Sequence, residues 1–145
     1  MIQFTIPTIP VAQPRQRHAN IGGHIRNYIP TDHPVVAFKA AAQMAAAGAY
    51  QGEPMDKPLR VDLVFVMPRP KSMCWKKRPM PRAPFGKKPD RDNLEKSLYD
   101  ALNGLLWRDD SLICDGRVQK VYAAGDEQPH VEIVISEAVM EEHHA

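Results

Sequence analysis

A chain of 145 residues can build one compact domain with a hydrophobic core and is short for two. Its composition, 43% hydrophobic and 25% charged, is that of a folded globular protein and excludes a disordered or fibrous one. The formal net charge of +2 hides a concentration: eight basic residues lie between Arg69 and Lys88 with no acidic residue among them, leaving 11 basic against 17 acidic residues elsewhere. Such a segment suits a phosphate-binding surface, because affinity follows the number of phosphates neutralised. No apolar run approaches the roughly 20 residues of a membrane helix. "MIQFTIPTIP" lacks the layout of a signal peptide, so the cytoplasm is the expected location. Cys74 and Cys114 read as free thiols without zinc-ligand spacing around them, and His143 and His144 as part of a solvated polar tail.

Residues 2 to about 7 alternate Ile2, Phe4 and Ile6 with polar neighbours and predict a strand, with prolines marking an edge. The following Pro-, Gly- and Arg-rich stretch reads as a loop or irregular hairpin turning at Gly22 and Gly23. A helix is expected over 34–50, alanine-rich, opened by Pro34 and capped by Asp32. Residues 59 to 67 place Leu59, Val61, Leu63, Phe65 and Met67 on one face and add Val64 and Val66 on the other, as a central strand would. Six prolines between 68 and 89 argue for a long basic loop.

The next helix begins between Asp90 and Asn93. Leu94, Leu98, Ala101, Leu102 and Leu105 fall within an arc of about 100°, opposite Asp92, Lys96 and Asp100. Two extended segments follow, "SLICDGRVQKVYAA" and "HVEIVISE", joined by "GDEQP" as a hairpin connection would be. The order predicts a single α/β domain, a mixed β-sheet packed with two main helices.

"KKPDRDNLEKSLYDAL" carries the chemistry. For an isolated Asp-x-Asp before a helix, structural work is the commoner employment: Asp92 with Glu95 resembles a capping box, Asp90 meets the helix dipole, and Asp92 pairs with Lys96 at i,i+4. Against it stand the Asp109–Asp110 pair beyond the helix, the basic loop upstream, and Lys96 on the same face as Asp92. Clustered carboxylates repel unless a hard cation is shared among them, and an oxygen-only set suits Mg²⁺ or Mn²⁺ better than zinc. Such ions activate water near neutral pH and stabilise the leaving oxygen of a phosphodiester, with a lysine offsetting the developing charge. An EF-hand loop starting at Asp90 fails at Leu94, Glu95 and Ala101. A sugar-nucleotide transferase would lack its glycine-rich loop, and no Ser-His-Asp or Cys-His arrangement is indicated.

Residues 88 to 123, "KPDRDNLEKSLYDALNGLLWRDDSLICDGRVQKVYA", resemble the RusA-type Holliday junction resolvases, endodeoxyribonucleases of bacteria, phages and prophages. The chain carries that family's Asp-x-Asp-Asn-Leu-x-Lys run, then Asp-Ala-Leu, then an Asp-Asp pair before a strand. A weaker similarity covers "PTIPVAQPRQRHANIGGHIRNYIPTDHP", as in phage members; the basic loop at 68–88 departs from the pattern, and its role is not carried over. The resemblance implies Asp90, Asp92 and Asp110 as metal-binding carboxylates, Lys96 as the catalytic lysine, Mg²⁺ with Mn²⁺ as substitute, and Asp109 as runner-up to Asp110. Asn93 is either an outer hydrogen-bond partner or a helix-start residue, and Asp100 either orients the site or is solvated. A homodimer is further implied, its two sites matching a symmetrical four-way DNA.

Lys76, Lys77, Arg78, Lys87 and Lys88 are the candidate DNA contacts of the loop, with Trp75 or Phe85 stacking on opened bases; a solvated loop kept soluble by its charges is the competing reading. Arg15 and Arg17 form a second basic group, and Lys120 is a further candidate. Two alternatives use the same residues: a nuclease for flaps, forks or structured RNA, and a DNA-binding accessory protein without catalysis.

Overall fold

The computed structural model describes residues 1–14, 17–28, 31–74 and 80–140, and for 17–21 and 24–28 the backbone alone. A mixed sheet carries two helices on one face. Its strands are β1 (Ile2–Ile6), β4 (Leu59–Met67), β5 (Ala83–Pro84), β6 (Ile113–Asp115), β7 (Val118–Tyr122) and β8 (His130–Glu137), and the helices are α1 (Pro34–Ala49) and α2 (Arg91–Leu102). β2 (Arg17–Ile21) and β3 (His24–Tyr28) form a separate hairpin whose turn, Gly22–Gly23, has both residues at positive φ, where glycine costs least. Pro34 opens α1 as expected, but the cap is His33, whose Nδ1 accepts from the Val35 N–H at 3.0 Å, rather than Asp32. The residue directly before the first helical position is the one whose side chain reaches that N–H.

β4 is central because both its faces and both its edges are used. The sheet order is β1-β8-β4-β7-β5. β8 runs antiparallel along one edge of β4, and the other edge takes β6 and β7 in tandem, both parallel. β7 and β8 therefore do not form the hairpin their proximity in sequence suggested: β4 lies between them. A buried strand needs partners for the peptide groups of both edges, and β7, returning from the α2 crossover, takes one while β8 takes the other.

Alternation assigns the faces. Leu59, Val61, Leu63, Phe65 and Met67 of β4 share the helix-covered face with Val131, Ile133 and Ile135 of β8, and Phe38, Ala42, Leu94, Leu98 and Leu102 cover them. Full burial of a leucine contributes about 1.5–3 kcal/mol, so the stripe Leu94, Leu98 and Leu102 fixes the roll of α2. Leu105 lies beyond the helix end and is only partly buried. Ser97, also buried, donates to the Val11 carbonyl at 2.5 Å and ties the N-terminal segment along α2. The roll turns Asp92 and Lys96 outward.

Candidate active site

α2 starts two residues earlier than an Asp92–Glu95 capping box would need. Asp90 is the N-cap, its carbonyl accepting from the Leu94 N–H at 3.2 Å, and its side chain makes no cap hydrogen bond. Asp92 stands in the first turn and forms no ion pair with Lys96 among the described residues. The bonded structural employments of these aspartates are not taken up, whereas Asp62, Asp100, Asp115, Glu127 and Glu132 are each paired to a cation. Asp100, on its part, meets Lys39 of α1 at 3.6 Å.

Asp92, Glu95, Lys96 and Tyr99 share an arc of about 100° on α2. Glu95 and Tyr99 face a polar hollow of about 360 Å³ between α2 and the β6–β7 connection, and Asp110 lines its other side. Asp110 opens a short 3-10 turn, Asp110–Leu112, and its Oδ1 accepts at 2.8 Å from the indole N–H of Trp107, a fully buried core residue. Asp109 is exposed and accepts from the Ser111 hydroxyl at 2.9 Å. Of the Asp-Asp pair, Asp110 is the member on the hollow.

The electrostatics follow from that crowding. Burial raises Asp110, repulsion from Asp100 and Asp109 adds to it, and the Trp107 hydrogen bond works the other way. Burial likewise raises Glu95, with Arg91 lowering it and Asp92 raising it. Tyr99 is pushed upward by burial and by Glu95 and Asp110, and its ring stacks edge-on against Trp107 at 5.6 Å. Burial and neighbouring carboxylates raise Glu95 and Asp110 alike, and a cation would relieve that field. All the carboxylates are hard oxygen donors, and the neighbouring Cys114 thiol is turned to the Leu59 carbonyl at 3.8 Å, so the donor set fits a magnesium-like ion. Asp90, Asp92 and Asp110 are not drawn to within 4.8 Å of one another.

Among the described residues, a group that does reach that spacing is Glu127, His130 and Glu132. It lies on the opposite face of the sheet, since Glu132 pairs with Val64 and His130 with Val66. Its oxygens already hold a cation. Arg82 donates Nε to Glu127 Oε1 at 2.8 Å and Nη2 to Glu127 Oε2 at 2.6 Å, with a shorter bond to Glu132, and His130 Nε2 meets Glu132 at 2.8 Å. The fixed guanidinium fills the place a metal would take.

The basic segment is only partly outward. Arg69 bonds the carbonyls of Met73, Pro81 and Ala123, and Arg82 is in the clamp just described, so these two brace the loop. Lys87 and Lys88 are exposed immediately before the aspartates. Phe85 is packed against Tyr122, the rings tilted by 59° with centroids 4.8 Å apart. Lys120 donates to two backbone carbonyls. Arg15, Trp75, Lys76, Lys77 and Arg78 lie outside the described residues, as does the side chain of Arg17.

Sequence reasoning missed Glu95, Tyr99 and Trp107. For Glu95 and Tyr99 the signal was periodicity, since they share one helical face with Asp92 and Lys96; Trp107, in a β-bridge before the turn that Asp110 opens, carried no periodic signal.

The family model for endodeoxyribonuclease RusA matches residues 7–136. "Uncharacterized protein YqaN" of Bacillus subtilis (strain 168) is 36% identical over 144 residues, covering 94% of this chain and 96% of that protein. Asp90, Asp92, Lys96 and Asp110 all fall inside the matched span, which runs from the end of β1 almost to the end of β8. On that coverage the chain belongs to the RusA family of endodeoxyribonucleases.

Proposed function

We propose that this protein resolves Holliday junctions by paired, symmetric nicks on opposing strands, as a homodimer dependent on Mg²⁺ or Mn²⁺, in recombination, repair or phage DNA processing. The observation that carries the reading is the pair of carboxylates exposed at the start of α2 and unbonded among the described residues, on the helix whose Glu95 and Tyr99 line a hollow bordered by Asp110. Asp90, Asp92 and Asp110 would hold the ion, which supplies Lewis-acid stabilisation of the phosphate and lowers the cost of ionising water. Lys96, an exposed ammonium one turn beyond Asp92, offsets charge on the leaving oxygen. Trp107 holds the Asp110 carboxylate in one orientation. Lys87 and Lys88 place DNA phosphates at the start of α2, with Lys76, Lys77, Arg78, Arg15 and Arg17 extending the basic surface without reading bases. Asp110 rather than Asp109 is the third ligand, because Asp109 faces away from the hollow and is bonded to Ser111.

The test is a panel of a labelled four-way junction, a flap and a linear duplex, each with Mg²⁺ and with EDTA. Paired nicks in the junction that disappear with EDTA support the proposal. Preferential flap cleavage would make it a nuclease for other branches, and junction binding without nicks a DNA-binding accessory.

A further inference from the structure

Lys120 is a lysine on the helix-covered side of the sheet. Its register partner is Phe65, so alternation points it to the helix-covered side and not to the open face. A charge on that side needs acceptors. The Nζ donates to the Lys87 carbonyl at 2.7 Å and the Pro89 carbonyl at 2.8 Å, and lies 5.3 Å from the Phe85 ring centroid. The Phe85 N–H donates in turn to the Lys120 carbonyl at 3.1 Å. The second acceptor has a geometric consequence. The Pro89 carbonyl belongs to the same planar peptide unit as the Asp90 N–H and Cα, so fixing that oxygen fixes the Cα from which Asp90 projects. Arg91 adds a tie to the same strand, donating to the Val118 carbonyl at 3.3 Å.

We infer that Lys120 is a positioning residue: its ammonium fastens the backbone ahead of α2 to β7 and so fixes where Asp90 and Asp92 project, without contacting DNA. The inference rests on the proposed role of those aspartates. It predicts different behaviour from an exposed lysine. A phosphate contact contributes about one counterion to the salt dependence of binding; an ammonium committed to backbone carbonyls contributes none.

The experiment compares the full-length wild type with Lys120→Met, which keeps the aliphatic stem, and Lys120→Gln, which removes the charge but keeps an N–H donor should the methionine variant not fold. Amide hydrogen exchange is read on peptides spanning 85–95 without DNA or metal, junction affinity is read against salt, and cleavage is read with all junction bound. Exchange should accelerate roughly tenfold or more in 85–95 and remain unchanged in β4 and β8. The salt slope should stay at the wild-type value, and cleavage of bound junction should fall about 10- to 100-fold. A slope reduced by about one with bound-junction cleavage intact would make Lys120 a phosphate contact and overturn the inference, as would unchanged exchange at 85–95. A wild type that cuts no junction would sink the proposed function alone, and the exchange measurement would still decide the tether.

Discussion

A single indole N–H fixes which way Asp110 faces. Trp107→Phe keeps most of the buried ring and removes the donor, so the stability loss should be about 1–3 kcal/mol. Cleavage should fall about 10- to 100-fold at saturating Mg²⁺, beyond what thermal unfolding accounts for. Asp110→Asn should abolish nicking, whereas Asp109→Asn, which alters an exposed carboxylate bonded to Ser111, should leave single-turnover cleavage within about threefold of wild type. The Asp-x-Asp-Asn-Leu-x-Lys run and the Asp109–Asp110 pair were legible as a motif, and the joint role of Asp90, Asp92, Lys96 and Asp110 is what the family resemblance implies and these variants test. Glu95 and Lys120 were not legible. Glu95 fits a capping pattern equally well until the helix start is known, and the side of a sheet that Lys120 faces depends on its register against β4, which no short stretch encodes.

At the level of elements, the β6–β7 connection borders the hollow and is built on one glycine. Gly116 has φ +146, and a Cβ there would lie 1.9 Å from the Val61 carbonyl oxygen of β4. Backbone of a central strand cannot yield, so Gly116→Ala should destabilise by about 2 kcal/mol or more and lower the melting temperature by roughly 5–10 °C, read by thermal unfolding. The Arg82 clamp makes a second claim. The Arg82 hydrogen bonds hold Glu127 down to about 2 from an ordinary 4.5, with burial opposing. A depressed carboxylate stabilises fully above its ordinary value and loses that contribution as pH falls, here from about 4.5 towards about 2. Unfolding of Arg82→Met across that window should show a flatter acid limb than wild type. β4 was readable to the residue because its apolar alternation is strong, and α2 was placed by its leucine stripe, although it ends at Leu102, short of the end expected between Gly104 and Trp107 and of Leu105 on its packed face. The β7–β8 pairing was misread because adjacency in sequence suggests a hairpin, while the partner is decided by which edges of β4 stand open.

Over the whole molecule, positive charge is concentrated before α2 and negative charge at its start, as a protein that binds phosphate and then cuts it requires. Junction affinity should fall steeply with salt, and Lys87→Ala with Lys88→Ala should lower the slope of log affinity against log salt by about two while leaving cleavage of bound junction intact. The measurement that bears most directly on the account is cleavage of a four-way junction in Mg²⁺ by wild type beside Asp92→Asn, with binding measured in parallel. Asparagine keeps the shape and removes the charge of a side chain that makes no bond here among the described residues, so folding and junction affinity should persist. Symmetric nicks from the wild type, lost in Asp92→Asn with binding retained, are the predicted result. Equal nicking by both proteins would contradict an active site at the start of α2.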